Sequence, residues 1–147
     1  MEKTQKESAA KELIVDAEGA TVGRVGTLVA KDLLQGNKVV VVNSEKAILV
    51  GDRYVILEDY LKKRRLGKGV QKGPFFYYKA EMMLRKSIRG MLPWKRTRGR
   101  EAYRQLICVK GVPEKYKDAK KVTFEKRDRL KFITLQDLSK LIKPNQT

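Results

Sequence analysis

Two stretches of this chain carry residue types and spacings that can do chemistry, and in both the chemistry would be done on phosphate. In the first, Asp16–Ala17–Glu18–Gly19–Ala20–Thr21–Val22–Gly23–Arg24–Val25–Gly26, a glycine-punctuated turn stands between an apolar run and a helix-period pattern. Backbone amides at such a helix start bind phosphate, which is where dinucleotide fingerprints sit. The spacing fails that test. Counting from Gly19, further glycines are required at the positions held by Thr21 and Arg24. A P-loop requires Gly-Lys-Ser/Thr, and Gly23–Arg24–Val25 is not that. The expected role is a tight strand-to-helix turn, with Gly26 allowing close helix–sheet packing. Arg24 and the turn amides can still touch a phosphate of a larger nucleic acid.

The second stretch is a block of positive charge. Residues 62 to 100 hold fourteen lysines and arginines and one acid, Glu81, whereas the first sixty residues hold eight basic and ten acidic side chains. The formal excess of +17 is therefore concentrated in one place. Charge of that density repels itself unless a polyanion neutralises it. With acids almost absent from the block, internal ion pairs are not expected to do so. Arg64, Arg65, Arg85, Arg89, Arg96, Arg98 and Arg100 supply planar forks suited to bidentate phosphate binding. Lys62, Lys63, Lys68, Lys72, Lys79, Lys86 and Lys95 add point charges. Phe75, Phe76, Tyr77, Tyr78 and Trp94 are interleaved with them. Rings beside arginines stack on unpaired bases, although for any one ring a place in the core is the commoner fate. Trp94 is the ring selected for RNA contact, with Tyr77 or Tyr78 as further stacking groups. RNA is preferred to DNA because no helix-turn-helix, zinc-finger or zipper pattern is present and glycine-broken basic loops suit an irregular folded RNA.

Other chemistry is thinly supported. The chain has no histidine, which removes imidazole bases, histidine triads and histidine metal sites. The single cysteine, Cys108, excludes an internal disulfide and a multi-cysteine metal site. Lying in Leu106–Ile107–Cys108–Val109, it reads as a buried, inert thiol. No catalytic residue, cofactor or metal is assigned. The polar N-terminus lacks the apolar core of a signal peptide, and the longest aliphatic run, Val39 to Val42, is far too short to span a bilayer. Cytoplasm is the expected compartment. On the residues alone two other readings stay open: a nucleotide-dependent enzyme using a βαβ crevice, and a binder of anionic membranes.

The elements that must position these groups follow from periodicity. Leu13–Val15 reads as a buried strand, and Val22, Val25, Val29 and Leu33 as one helix face ended by Gly36–Asn37. Lys38 to Asn43 is β-branched without alternation, a strand covered on both faces. Together these make a βαβ unit with a right-handed parallel crossover. Ala47 to Val50 is another strand, and Asp52 caps a helix containing Tyr54, Leu57, Tyr60 and Leu61 that runs into Lys62–Arg65. Gly67 to Pro74 is a glycine-rich basic loop. Lys79 to Arg89 is a helix with Met83, Leu84 and Ile88 inward, stopped by Gly90 and Pro93. Arg98 to Gln105 is a short helix, Leu106 to Val109 a strand, and Gly111–Pro113 a turn. Glu114 to Lys131 is charged and weakly patterned, and Thr134 to Ile142 is an amphipathic helix with Thr134 as N-cap. At 147 residues one α/β domain with basic extensions is expected. Its core segments are 12–61 and 79–113, with a basic loop at 62–78 and a charged C-terminal extension and helix at 114–147.

Several of these segments, taken in order, resemble one family. They are Asp16–Ala17–Glu18–Gly19 with Gly23–Arg24, Val39–Val40–Val41–Val42–Asn43–Ser44–Glu45–Lys46, Gly73–Pro74–Phe75, Ile88–Arg89–Gly90–Met91–Leu92–Pro93, and Gly111–Val112–Pro113. Together they are similar to the universal large-subunit ribosomal protein L-thirteen family, Arg89–Pro93 being the most specific piece. The resemblance covers about Leu13 to Tyr116. The direct passage from Gly36–Asn37–Lys38 into the valine strand looks like the archaeal and eukaryotic branch. It implies a three-layer α/β/α fold around a four-stranded, largely parallel sheet. It also implies a structural, non-catalytic role in the large ribosomal subunit, binding and stabilising ribosomal RNA during assembly. The partners implied are large-subunit ribosomal RNA and neighbouring large-subunit proteins, with no membrane and no small-molecule substrate. By motif match Arg89 to Pro93 belongs to the RNA-facing segment and Gly23–Arg24 to the start of the first helix. The chain departs from the family at Phe76–Tyr77–Tyr78–Lys79–Ala80, where a basic stretch with a proline is usual.

Overall fold

The computed structural model of the chain describes residues 11–66, 74–125 and 130–143. Strand β1 (Glu12–Asp16) leads through the glycine turn into helix α1 (Val22–Leu34) and returns as β2 (Lys38–Val42), parallel to β1 with Val15 opposite Val41. The helix face read from the sequence is the buried one: Val25, Val29 and Leu33 are sequestered. It stops because Gly36 adopts a φ of +91°, a left-handed conformation that a Cβ disfavours. That turn lets the Gly36 N–H reach Leu33 O (3.1 Å) and the Asn37 N–H reach Asp32 O (3.2 Å), a Schellman pair satisfying carbonyls of the last turn.

Val39 to Val42 have no exposed surface, which explains an aliphatic run with no polar alternation. The parallel sheet has the order β4-β2-β1-β5, with β4 at Leu106–Cys108 and β5 at Lys121–Val122. Val15, Val39 and Val41 point to one face, covered by α1, α3 (Ala80–Gly90), α4 (Thr97–Arg104) and α5 (Leu135–Ile142). Met83, Leu84 and Ile88 of α3 are inward, as their spacing predicts. The opposite face, formed by Ile14, Val40 and Val42, is covered by Val109, Val112, Tyr116 and Ala119. Its layer is thin, a connection with one 3-10 turn at Glu114–Tyr116.

Two details differ from the expectations, both in the stretch after Glu114. The weakly patterned stretch after Glu114 supplies β5, which pairs Lys121 with Ile14 and Val122 with Val15. Two residues are too short to show a period, so only their distant partner reveals them as a strand. Likewise β3 (Ile48–Val50) pairs antiparallel with β6 (Phe132–Thr134), in a small second sheet outside the parallel one. Helix α2 (Arg53–Arg65) begins on Asp52, whose Oδ1 accepts the Tyr54 N–H at 2.9 Å. It lies on the edge of the core, so Leu57, Tyr60 and Leu61 are half-buried while Tyr54 is 80% exposed. The Arg64 guanidinium donates to the Ile142 carbonyl and ties α2 to the end of α5.

Thr134 caps α5 as its position suggests. Its Oγ1 accepts the Asp137 N–H (3.1 Å) and donates to Asp137 Oδ2 (2.9 Å). Because Leu135, Leu138 and Ile142 of α5 belong to the main core, the cap matters to the whole unit. Thr134→Ala is expected to cost about 1 kcal/mol, read as a lowered urea midpoint with unchanged slope. An unchanged midpoint would show that the cap contributes nothing.

Candidate nucleic-acid interface

The glycine turn is closed to a nucleotide. Asp16 Oδ1 accepts the Glu18 N–H (3.0 Å) and the Asn43 side-chain amide (2.9 Å). The Gly19 N–H donates to Lys46 O (3.2 Å), and Ala20 O accepts the Ile48 N–H (2.9 Å). The turn amides are thus taken, Gly19 N–H by the segment after β2, Glu18 N–H by Asp16 and Ala20 N–H by Ala17 O, whereas the start of α1 has no side-chain cap. The cavity left among Gly19, Ala20, Thr21 and Arg24 measures about 10 Å3, the room of a single water. Asn43, Ser44 and Glu45 are buried. The Glu45 carboxylate accepts the Gly111 N–H with both oxygens (3.2 and 3.0 Å), and Asn43 N–H donates to Gly111 O (2.9 Å). That signature segment is a structural lock on the turn after β4.

The loop from Arg89 to Arg96 is held between two helices, each of which offers a glycine. Pro93 prevents α3 from continuing. A Cβ at Gly26 of α1 would lie 2.6 Å from Met91 Sδ, so the glycine serves the approach of Met91. This corrects the expectation that Gly26 serves helix–sheet packing: α1 is approached here by the loop. A Cβ at Gly99 of α4 would lie 2.2 Å from the Pro93 carbonyl oxygen. Inside the loop the Trp94 N–H donates to Leu92 O (2.7 Å) and the Arg96 N–H to Pro93 O (2.9 Å). Leu92 is buried and anchors the turn.

On this seat the cations and rings alternate. The Arg89 guanidinium lies 3.9 Å from the Trp94 ring centroid. Trp94 meets Tyr103 edge-on at 5.0 Å and 90°, and Arg85 covers Tyr103 at 4.7 Å. Lys86 Nζ stands 3.2 Å from the Phe76 centroid, and Lys63 Nζ 5.2 Å from that of Tyr60. Such contacts stabilise by about 0.5–2 kcal/mol each and fix the direction of flexible side chains. Arg85 is half-buried, and its Nε is buried without a hydrogen-bond partner among the described residues. Burial holds the Lys86 ammonium below the usual lysine range, with Arg89 and Lys63 adding repulsion. Burial likewise pushes the Cys108 thiol up to about 12, consistent with an inert side chain.

The structure sorts the expected RNA-binding residues into groups. Lys62 and Lys63 are not free of acids: Lys62 Nζ lies 2.8 Å from Glu58 Oε1, and Lys63 pairs with Asp59. These carboxylates sit one helical turn upstream, outside the block, which is why its composition concealed them. Arg64 and Arg98 are engaged with backbone, Arg98 donating to Leu34 O at the end of α1 (3.0 Å). Lys95, Arg96 and Arg100 are exposed, and among the described residues none is within ion-pair distance of a carboxylate. Arg65 is exposed at the end of α2. Arg24, Lys79 and Arg96 stand at the starts of α1, α3 and α4, the three long-block and glycine-turn helices whose N-caps make no side-chain bond. By contrast Asp52 and Thr134 cap α2 and α5. Lys68 and Lys72 lie outside the described residues. Phe75 and Tyr77 are exposed (68% and 51%), while Tyr78 packs against the core. Tyr60 and Tyr103 were not singled out by sequence. They flank the block, and only the fold brings their rings beneath its cations.

Comparison with known proteins agrees on one family. A family model described as Ribosomal protein L13 matches residues 10–115. The large ribosomal subunit protein uL13 of Archaeoglobus fulgidus is 41% identical over 137 residues, covering 88% of this chain and 86% of that protein. That of Methanopyrus kandleri is 37% identical over 133 residues (86% and 83%), and that of Methanosarcina barkeri 39% over 132 residues (86% and 94%). These relatives are archaeal, in keeping with the passage from Gly36 into β2.

Proposed function

The chain belongs to the ribosomal protein L13 family, non-enzymatic structural components of the ribosome, and from that premise we propose that it binds and stabilises large-subunit ribosomal RNA during assembly. The observation that carries this reading is the start of α4. Arg96, Arg98 and Arg100 gather there with Lys95, and the first turn holds no acid. Positive side chains at the positive end of a helix dipole are unfavourable by a few tenths of a kcal/mol or more each. A phosphate at that end relieves both the dipole and the side-chain repulsion. The uncapped start of α1, with Arg24 and no acid in its first turn, shares this character, whereas α3, which follows Lys79, carries Glu81 in its first turn. Neighbouring large-subunit proteins are the further partners of such a position.

The rival enzyme reading finds no support at the glycine turn, whose 10 Å3 cavity admits no nucleotide. The reading as a binder of anionic membrane surfaces is tested by co-sedimentation with acidic liposomes in competition with RNA. RNA binding should be strongly salt-dependent, log K falling against log salt by about 0.7 per phosphate contacted on single strands and about 0.9 on duplex. Filter binding or anisotropy across a salt series measures it. A flat dependence, or no binding at low salt, would sink the reading.

A further inference from the structure

Two hollows adjoin on the basic face and share one wall, Lys86. The first, of about 200 Å3, is lined by Tyr60, Lys63, Phe76, Tyr77, Met83 and Ser87 with Lys86. The second, of about 250 Å3, is lined by Lys86, Arg89, Gly90, Leu92 and Trp94. Neither has a carboxylate on its wall, in contrast to the cavity beside Lys79, which exposes Glu45 and Glu81. The first hollow is walled by three aromatic rings, a methionine, a serine and two lysines. Its volume is below the roughly 300–1,000 Å3 that hold a drug-sized ligand. Lys86 is drawn toward its neighbours despite like charge: it also approaches the Phe75 carbonyl at 3.5 Å. Three cations, Lys63, Lys86 and Arg89, therefore bear on one aromatic groove in which only Lys63 has an acidic partner among the described residues.

We propose that this groove takes one unpaired nucleotide of the bound RNA. Its base enters between Tyr60, Phe76, Tyr77 and Met83, and its phosphate lies between Lys86 and Arg89. The proposal rests on the RNA-binding reading above and narrows it to a single-stranded or bulged segment. A base in duplex is stacked and paired, and cannot enter a hollow of this size. Aromatic rings accept any base by its π-face, so the groove should select the unpaired state with little sequence preference. Phe76–Tyr77 lies where the chain departs from its family's pattern, so this base site would be a feature of this chain's own residues.

The test uses the full chain with three ligands of equal length: a single-stranded oligoribonucleotide, an abasic ribose-phosphate oligomer, and a duplex. The first two carry the same charge and differ only in their bases. The base-bearing strand is expected to bind about tenfold or more tightly than the abasic one, with equal salt slopes. A 2-aminopurine in the strand should change its fluorescence on binding. Tyr77→Ala, at a half-exposed position that the core does not need, should reduce the discrimination. Lys86→Gln should lower the salt slope by about 0.7. Equal affinity for abasic and base-bearing strands, with salt-dependent binding preserved, overturns the base site while the RNA reading stands. Salt-independent binding, or none, to all three ligands overturns both.

Discussion

Gly99→Ala is expected to destabilise the protein by about 1–3 kcal/mol, the usual cost of forcing atoms into a filled space. The sign is informative, because glycine to alanine inside a helix ordinarily gains up to about 1 kcal/mol. Here the new methyl would stand 2.2 Å from the Pro93 carbonyl oxygen and 2.5 Å from its carbon. Both are backbone atoms, and the same carbonyl accepts the Arg96 N–H that starts α4. Neither can rotate away, so α4 must separate from the loop. Tyr103 then withdraws from Trp94 and Arg85, and the basic groups lose their common direction. Gly26→Ala provides the contrast. Its methyl would meet Met91 Sδ and Cε, the far end of a flexible side chain that is already 42% exposed. Met91 can swing outward, so that variant should lie within about 1 kcal/mol of the parent. Urea unfolding separates the two, and Trp94, the only tryptophan, reports on the loop by its emission. A Gly99→Ala protein as stable as the parent would refute the described loop–helix contact.

The second large effect is on RNA affinity. Replacing Lys95, Arg96 and Arg100 together by glutamine should lower the salt slope by about 2, at about 0.7 per phosphate contact. At low salt that corresponds to roughly a hundredfold to a thousandfold weaker binding. The control is a triple change with the same loss of charge at paired lysines: Lys38, which pairs with Glu12 (3.4 Å), Lys46 with Glu18 (3.5 Å), and Lys117 with Glu114 (3.9 Å). That protein should keep the parent's slope. If both triples lose affinity equally, net charge rather than a defined face binds the RNA. Five of the six substituted residues are exposed, and Lys38 is half-buried at the start of β2 with its charge on Glu12, so both proteins should unfold close to the parent.

Much of the scaffold was legible because its signals are local. The 3.6-residue spacing of Val22, Val25, Val29 and Leu33 and the unbroken valines of β2 report their own burial. The caps at Asp52 and Thr134 and the stop at Gly36 need only neighbours in sequence. β5 and β6 were not legible, since strands of two and three residues carry no period. The helix containing Tyr54, Leu57, Tyr60 and Leu61 was legible, but its spacing does not reveal that a helix on the rim of the core leaves Tyr54 80% exposed.

Composition and periodicity alone show that positive charge is gathered in residues 62–100, that a βαβ unit precedes it, and that the chain has no imidazole. Those are properties of composition and of short-range order. Which charges remain open to an RNA was decided only by the tertiary structure. Arg64 and Arg98 are bound to the distant carbonyls of Ile142 and Leu34, while Lys95, Arg96 and Arg100 stay exposed; the pairs of Lys62 and Lys63 with Glu58 and Asp59, by contrast, are local to one helix. Tyr103, which lies outside the block, is brought under Arg85 only by the fold. Electrostatic pairing and stacking act over a few ångströms of space, and chain order does not encode which side chains come that close.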